Sequence, residues 1–144
     1  MDIDFTNEQI GSVVATLVPP PSNAAELARY ARASGDTNPL HLDLDFARKA
    51  GFDNLVVHGM LGMAHMGRLL TNTFPAASIS AFSARFSAVI LAGEQVLYQA
   101  TLVGIDGGQY RLSLEATTAA GVVAIKGDAL IDAQLARKRH GAEP

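Results

Sequence analysis

A carboxylate and an imidazole stand five positions apart in the segment 35–41, whose sequence is GDTNPLH. Glycine favours left-handed turns and proline pushes the preceding residue into extended backbone, so this segment is expected to be irregular or extended. An aspartate beside a histidine can hold one water, take a proton from it and return a proton elsewhere, which is general acid–base catalysis. Asn38 adds an amide that can orient either group. The segment therefore predicts a catalytic pair formed by Asp36 and His41.

The same two residues also have a purely structural interpretation. Aspartate often closes a turn by accepting a hydrogen bond from the backbone two residues further on. A histidine that follows a proline can lie on a surface loop. The types and spacing of Asp36 and His41 leave both interpretations open.

A second candidate lies where His58 and Gly59 precede the longest apolar segment of the chain. The first N–H groups of a helix have no intrahelical acceptor, and the helix dipole is positive there. The N–H of Gly59, unshielded by a side chain, can receive a carbonyl oxygen that becomes negative during a reaction, as in an oxyanion hole. The alternative is that Gly59 only permits close packing.

The elements that must position these residues are predicted from the spacing of apolar side chains. Helical spacing predicts helices over 24–33 and 59–73, and the second is rich in glycine and apolar nearly all round. A shorter helix is expected to begin at Asp43 or Asp45.

The strands are predicted before and after these helices. The segment 12–18, which ends at three prolines, is expected to be a short strand. From Ser78 onward the period changes to two, first through Ile90 and then through about three further strands of an antiparallel meander. Helices and strands are therefore segregated, which indicates an α+β fold with a curved sheet around the glycine-rich helix.

Composition limits the class of protein. The chain has 144 residues, a net charge of −3 and no cysteine, and 49% of its residues are hydrophobic while 17% are charged. This favours one domain, argues against nucleic-acid binding and excludes disulfides and thiol chemistry. No signal-peptide pattern and no apolar run of about 20 residues is present, so a cytoplasmic protein without membrane contact is expected. The low charge suggests that part of the surface is buried against another subunit.

Residues 27–73 resemble the MaoC-like, (R)-specific enoyl-CoA hydratases, also called hydratase 2. The resemblance rests on the segment 30–41, YARASGDTNPLH, and on the segment 57–60, VHGM, and it extends over about 10–133. It implies a hot-dog fold, in which a curved antiparallel sheet wraps a central helix near 59–73. It also implies a single domain over 1–133, followed by a polar tail over 134–144.

The resemblance implies reversible hydration of a trans-2-enoyl thioester to an (R)-3-hydroxyacyl thioester. Asp36 and His41 match the catalytic pair of the family, Asn38 its supporting amide, and Gly59 the N–H that faces the thioester carbonyl. Gly67 and Leu70 match residues that line its acyl pocket. The substrate would be carried by coenzyme A or an acyl carrier protein, and the protein would be a homodimer, or a higher or heteromeric assembly, with no cofactor and no metal.

Other residues and other functions are also compatible with parts of the sequence. Met63 and His58 are additional candidates for substrate binding, whereas His65 is expected to be a core histidine. A hot-dog acyl-CoA thioesterase is one alternative, but such enzymes often carry a carboxylate on the central helix and 59–73 has none. A non-catalytic acyl-binding subunit of a heteromeric dehydratase is another, against which the presence of both Asp36 and His41 argues.

Overall fold

The computed structural model describes residues 3–137, which form one antiparallel sheet with five strands. The strands are β1 (Val13–Leu17), β2 (Ile79–Phe86), β3 (Val96–Asp106), β4 (Gln109–Thr118) and β5 (Val123–Asp132). Their order across the sheet is β1-β3-β4-β5-β2, so β1 and β2 are the two edges. Consecutive strands β3, β4 and β5 form a meander. The prediction of about four meander strands is wrong for the first of them, because β2 pairs with β5 and not with β3.

The α-helices of the described residues lie between β1 and β2 in the chain and after β5. They are α1 (Ala24–Ser34), α2 (Pro39–Leu42), α3 (Leu44–Lys49), α4 (Gly59–Thr73) and α5 (Ala133–Arg137). Helix α4 has 15 residues and packs against β1, β2 and β3, so the sheet wraps around it. The α+β hot-dog fold expected from the sequence, with a central helix over 59–73, is confirmed.

Local sequence explains where the helices before the site begin and end. Asn23 caps α1 because its side-chain oxygen accepts a hydrogen bond from the N–H of Glu26 at 2.9 Å. Gly35 ends α1 in the left-handed region at φ 78°, which glycine adopts without strain. Asp43 caps α3 by accepting a bond from the N–H of Phe46 at 3.1 Å. Gly35 thus marks the start of the loop that carries Asp36, and Asp43 separates the turn after that loop from α3.

The core lies between α4 and the inner face of the sheet. Met66, Leu69 and Leu70 of α4 are at most 1% exposed. They belong to the same cluster as the inward-facing residues of the strands, which include Tyr98, Leu112, Leu114, Ile125 and Ile131. Burial of each large apolar side chain stabilises the fold by about 1.5–3 kcal/mol. The helix that begins beside the site is therefore firmly held.

Strand β2 ends earlier than the alternation of apolar residues predicts. The prediction ran through Ile90, but pairing with β5 stops at Phe86. The N–H groups of Ser87 and Ala88 both donate to the carbonyl of Ala124, at 2.8 and 3.2 Å, so the chain turns away from β5. The following residues pair instead with 55–57, where the N–H of Val57 donates to the carbonyl of Ile90 at 2.8 Å.

The end of the chain also differs from a simple tail. Ala136, within the segment 134–144 that was expected to be polar tail, is buried in α5, as is Ala133 just before that segment. The rest of that segment, 138–144, lies outside the described residues. Among residues 3–137, no helix combines the length and apolar character needed to cross a lipid bilayer.

Candidate active site

His41 lies on a single helical turn, α2, where irregular or extended backbone was expected. That expectation is wrong because the residues before the turn complete a helix start. The side-chain oxygen of Asn38 accepts a hydrogen bond from the N–H of Leu40 at 3.0 Å, and Pro39 occupies the first helical position, where its missing N–H costs nothing. Asn38 itself stays extended, at φ −54° and ψ 129°. Its amide therefore orients His41 through the backbone of α2.

Asp36 lies in the loop between α1 and α2 and uses its two carboxylate oxygens differently. Oδ1 accepts a hydrogen bond from the N–H of Asn38 at 3.3 Å, which closes a turn. Oδ2 lies 3.5 Å from Nε2 of His41. The N–H of Asp36 donates to Oγ of Ser34 at 3.2 Å. Asp36 therefore closes a turn with Oδ1 and faces His41 with Oδ2, so both interpretations of this residue hold together.

The tautomer of His41 follows from a backbone contact. Its Nδ1 lies 2.6 Å from the carbonyl oxygen of Val56, and a carbonyl can only accept, so Nδ1 carries the proton in the neutral ring. The lone pair of Nε2 then faces the carboxylate of Asp36. Two acceptors cannot bond to each other, but a single water can donate one O–H to each. The His41 side chain is 11% exposed and that of Asp36 is 51% exposed, so solvent reaches this point from the Asp36 side.

An apolar cavity of about 150 Å³ opens beside His41. Besides His41, its walls come from the segment before α4, the start of α4, the end of β2 with the residues that follow it, and β5. They are Val56, Val57, His58, Gly59, Gly62, Phe86, Ala88, Val89, Ile90 and Ile125. A Cβ added at Gly62 would lie 2.7 Å from Cδ1 of Ile125, so the absence of a side chain there lets the sheet approach the helix. The cavity suits an apolar group placed next to a water held by Asp36 and His41.

Gly59 is the first residue of α4 and is exposed at the edge of this cavity. A Cβ at this position would meet the ring of Phe86 at 3.4 Å, an ordinary contact, so packing alone does not demand glycine. The N–H of the first helical residue has no intrahelical acceptor and lies at the positive end of the helix dipole. It can donate to an oxygen that enters the cavity.

His58 lies beneath the pair and is 1% exposed. Its Nε2 donates to the backbone carbonyl of Asp36 at 3.0 Å, and its ring stacks on that of His41 with centroids 3.7 Å apart and an angle of 20°. Asp36, His41 and His58 each place one potential metal-ligand atom within 4.8 Å of the others. The lone pairs of nearly parallel stacked rings run side by side and do not converge on one ion. The arrangement therefore suits hydrogen bonding better than metal coordination.

The other candidate residues on α4 do not line the cavity beside His41. Gly67 faces Phe82 of β2, and a Cβ added there would lie 3.6 Å from the ring. Leu70 is fully buried in the core, and Met63 is half-buried. The described cavity beside His41 is walled by a different turn of the helix. A role for Gly67, Leu70 and Met63 along an acyl chain stays a prediction.

Two titratable groups near α4 are shifted by burial. Burial lowers the pKa of His65 below its usual 6.5, with the charge of Glu26 opposing and that of Arg68 reinforcing this shift. Burial raises the pKa of Tyr98 to about 12, so its hydroxyl stays protonated at neutral pH. The ring of His65 lies 5.8 Å from that of Tyr98. The half-buried His65 is on the side of α4 that meets β3.

Sequence reasoning missed Val56 as a site residue. It contributes its backbone carbonyl, and a backbone contact has no signature in residue type. The apolar wall residues Phe86, Val89 and Ile125 were predicted only as strand positions. Their approach to the start of α4 depends on sheet curvature, which local periodicity does not report.

Comparison with known proteins places the chain beside one protein family. The model of the family described as MaoC like domain matches residues 5–124. An (R)-specific enoyl-CoA hydratase from Aeromonas caviae is 31% identical over 112 residues, which cover 75% of this chain and 84% of that protein. The solved structure of the (R)-hydratase from A. caviae superposes with a TM-score of 0.77 at 29% identity, covering 89% of this chain and 98% of the other.

A higher identity is found over a shorter segment. A mitochondrial 3-hydroxyacyl-[acyl-carrier-protein] dehydratase from Arabidopsis thaliana is 39% identical over 75 residues, which are 52% of this chain and 45% of the plant protein. The chain spans less than half the length of this and other larger curated relatives.

Proposed function

The chain belongs to the MaoC-like domain family, and from this premise we propose that it catalyses the reversible hydration of trans-2-enoyl thioesters to (R)-3-hydroxyacyl thioesters. One observation carries the proposal. Nε2 of His41 and Oδ2 of Asp36 face each other at 3.5 Å as two acceptors, at the mouth of an apolar cavity. The names of the A. caviae and Arabidopsis relatives, a hydratase and a dehydratase, denote the two directions of the same reaction.

In the hydration direction, a water donates one O–H to Asp36 and the other to His41. Its oxygen bonds to C3 of the enoyl group while Nε2 of His41 takes the proton. The π electrons of the C2–C3 bond move toward the thioester oxygen, which gives an enolate-like intermediate. The proton then passes from His41 to C2, so the net change is the addition of one water. General acid–base catalysis of this kind contributes typically 10²–10⁴-fold.

We assign Gly59 to the stabilisation of the intermediate. Its N–H would donate to the thioester oxygen as negative charge develops there, and the positive end of α4 would add to this effect. One such donor is typically worth about 2.7–4 kcal/mol in the transition state. Asn38 would act through α2, since its side chain caps the turn that carries His41.

We further propose that the acyl group is delivered by coenzyme A or an acyl carrier protein and that two copies of the chain form the working unit. The loop with Asp36, the cavity residues Phe86 and Val89, and Met60 next to Gly59 are exposed in the single chain. A second subunit over this region would shield the reacting enolate from bulk water.

A direct assay tests the activity. The purified protein is incubated with crotonyl-CoA, loss of the enoyl absorbance is followed, and the configuration of the product is determined. We expect the (R)-3-hydroxy product. An (S) product, or no turnover of enoyl-CoA or enoyl carrier-protein thioesters of any chain length, would contradict the proposal.

Substitutions of the pair test the mechanism. We expect Asp36→Asn and His41→Ala each to lower kcat about 10²–10⁴-fold while the protein stays folded. Asp45→Asn on α3 and His65→Gln on the far side of α4 are matched controls that should keep wild-type kcat. Normal activity in either variant of the pair would show that Asp36 and His41 do not activate the water.

A further inference from the structure

We propose that His58 is a positioning residue that holds Asp36 and His41 in register for the reaction, an inference that rests on the proposed function. His58 touches both members of the pair through different parts of one ring. It donates from Nε2 to the backbone of Asp36 and stacks its face on His41.

The hydrogen bond anchors a loop that is otherwise exposed. Every residue from Arg32 to Pro39 is exposed, and the side chain of Asp36 is 51% exposed. Apart from the bond to His58, the hydrogen bonds described for residues 35–38 are local and stay within 31–41. The next longer-range bond lies in α2, where the carbonyl of Leu40 accepts from the N–H of Val56 at 2.9 Å. The 3.0 Å bond from Nε2 of His58 to the carbonyl of Asp36 is thus the tie between this loop and the buried start of α4.

The ring of His58 is itself fixed from both sides. One face stacks on His41 at 3.7 Å, and the edge contact with Tyr30 of α1 has a centroid distance of 4.7 Å and an angle of 65°. The residue is 1% exposed and precedes α4 directly. A side chain so enclosed has little rotamer freedom, so it transmits the position of α4 to both catalytic groups.

The charge on the ring of His58 also affects His41, because the two rings are stacked. In the mechanism His41 becomes positively charged for part of each turnover, and a second charge on a ring 3.7 Å away would oppose this. Nδ1 of His58 is buried with no hydrogen-bond partner among the described residues, so a proton placed there would find no acceptor. The neutral ring, with its proton on Nε2, fits the site and presents an electron-rich face to the imidazolium of His41.

Two substitutions separate the hydrogen bond from the stacked ring. His58→Phe keeps a planar ring but loses the donor, and His58→Gln keeps an N–H near the position of Nε2 but loses the ring. A misplacement of about 1 Å at a reacting group can cost 10²-fold. We expect His58→Phe to lower kcat about 10- to 100-fold with KM changed less than about threefold, and His58→Gln to recover part of kcat. His65→Gln is the control for loss of a histidine elsewhere on the same helix.

Crystal structures and amide hydrogen exchange give readouts that do not depend on the reaction. We expect His58→Phe to lengthen the distance from Oδ2 of Asp36 to Nε2 of His41 beyond 3.5 Å and to speed exchange over 36–41, with the rest of the fold unchanged. An unmoved pair in His58→Phe, or wild-type kcat in that variant, would overturn the positioning role. If the wild-type protein hydrates no enoyl thioester, the proposed function fails, while the structural readouts still decide the role of His58.

Discussion

The orientation of one imidazole decides what the carboxylate beside it can do. With Nδ1 of His41 bound to the carbonyl of Val56, Nε2 is an acceptor and the pair needs a donor between its members. The opposite tautomer would bond directly to Asp36 and leave no place for a water. The chemistry therefore depends on a 2.6 Å backbone contact as much as on the two side chains.

A proline substitution tests the donor at the start of α4. Gly59→Pro removes the N–H at the first helical position, where proline is well tolerated, and His58 before it already has the extended backbone that proline requires. We expect kcat to fall about 10²–10³-fold. Gly59→Ala is the matched control, since it adds a Cβ 3.4 Å from Phe86 and keeps the N–H. Equal kcat values for the two variants would exclude Gly59 as a donor.

His65 should make the stability of the fold depend on pH. Burial lowers its pKa in the folded protein, so the unfolded chain binds the proton more readily. Its contribution to stability is complete above the unfolded value of 6.5 and is lost as the pH falls from there toward the lowered folded pKa. We expect the free energy of unfolding in urea to drop less between pH 7.5 and 5.5 in His65→Gln than in the wild type. Identical drops would show that His65 is not responsible.

At this scale the sequence was informative where residue type carries the signal. The types and spacing of Asp36 and His41 made them a candidate pair beside a structural interpretation, and Gly59 was a candidate from its place before an apolar helix. The roles of Val56 and of the ring of His58 rest on a carbonyl and on a stacking distance. Residue type predicts neither the backbone contact nor the stacking distance.

Among the elements, caps and periodicity were sufficient for the long helices. Asn23, Gly35 and Asp43 mark helix ends that the structure has within a residue of the prediction. Helix α2 escaped prediction because a turn of four residues is too short for a period and contains a proline. The early end of β2 was missed because the N–H groups of Ser87 and Ala88 both donate to the carbonyl of Ala124 and turn the chain away from β5.

Gly127 shows how closely β2 approaches β5. A Cβ at this position would lie 2.5 Å from the backbone carbonyl oxygen of Ser83 and 3.2 Å from Sδ of Met66. We expect Gly127→Ala to lower the free energy of unfolding by about 1–3 kcal/mol, because the strand backbone must shift. Gly67→Ala on α4 is the control, since its Cβ meets Phe82 at an ordinary 3.6 Å and alanine favours the helix by about 1 kcal/mol. Equal effects in urea unfolding would contradict this packing.

At the scale of the whole molecule, the edge strand β2 is a candidate surface for pairing with a second copy of the chain. Strand β2 is an edge of eight residues, and unpaired N–H and C=O groups along such an edge are a template for pairing. Phe86 at its end is 49% exposed and Val89 just beyond it 46%, beside Met60 at 56%. The low proportion of charged residues in the sequence anticipated surplus apolar surface but not its location.

We therefore predict a homodimer. Sedimentation equilibrium at micromolar concentration should give twice the chain mass of 15.1 kDa. The physical reason is that pairing along β2 would cover the exposed apolar residues and would also give hydrogen-bond partners to the unpaired N–H and C=O groups of this strand. A mass of one chain would contradict the prediction, and a larger multiple would place further interfaces elsewhere on the surface.

Val56 has two separate roles, one through its backbone and one through its side chain. Val56 gives its carbonyl to the imidazole and its side chain to the wall of the cavity. A carbonyl is the same group whatever side chain accompanies it, so position 56 can vary without turning the imidazole. Substitutions at position 56, in evolution or by design, can therefore change the shape of this wall for other acyl groups while His41 keeps its orientation and tautomer.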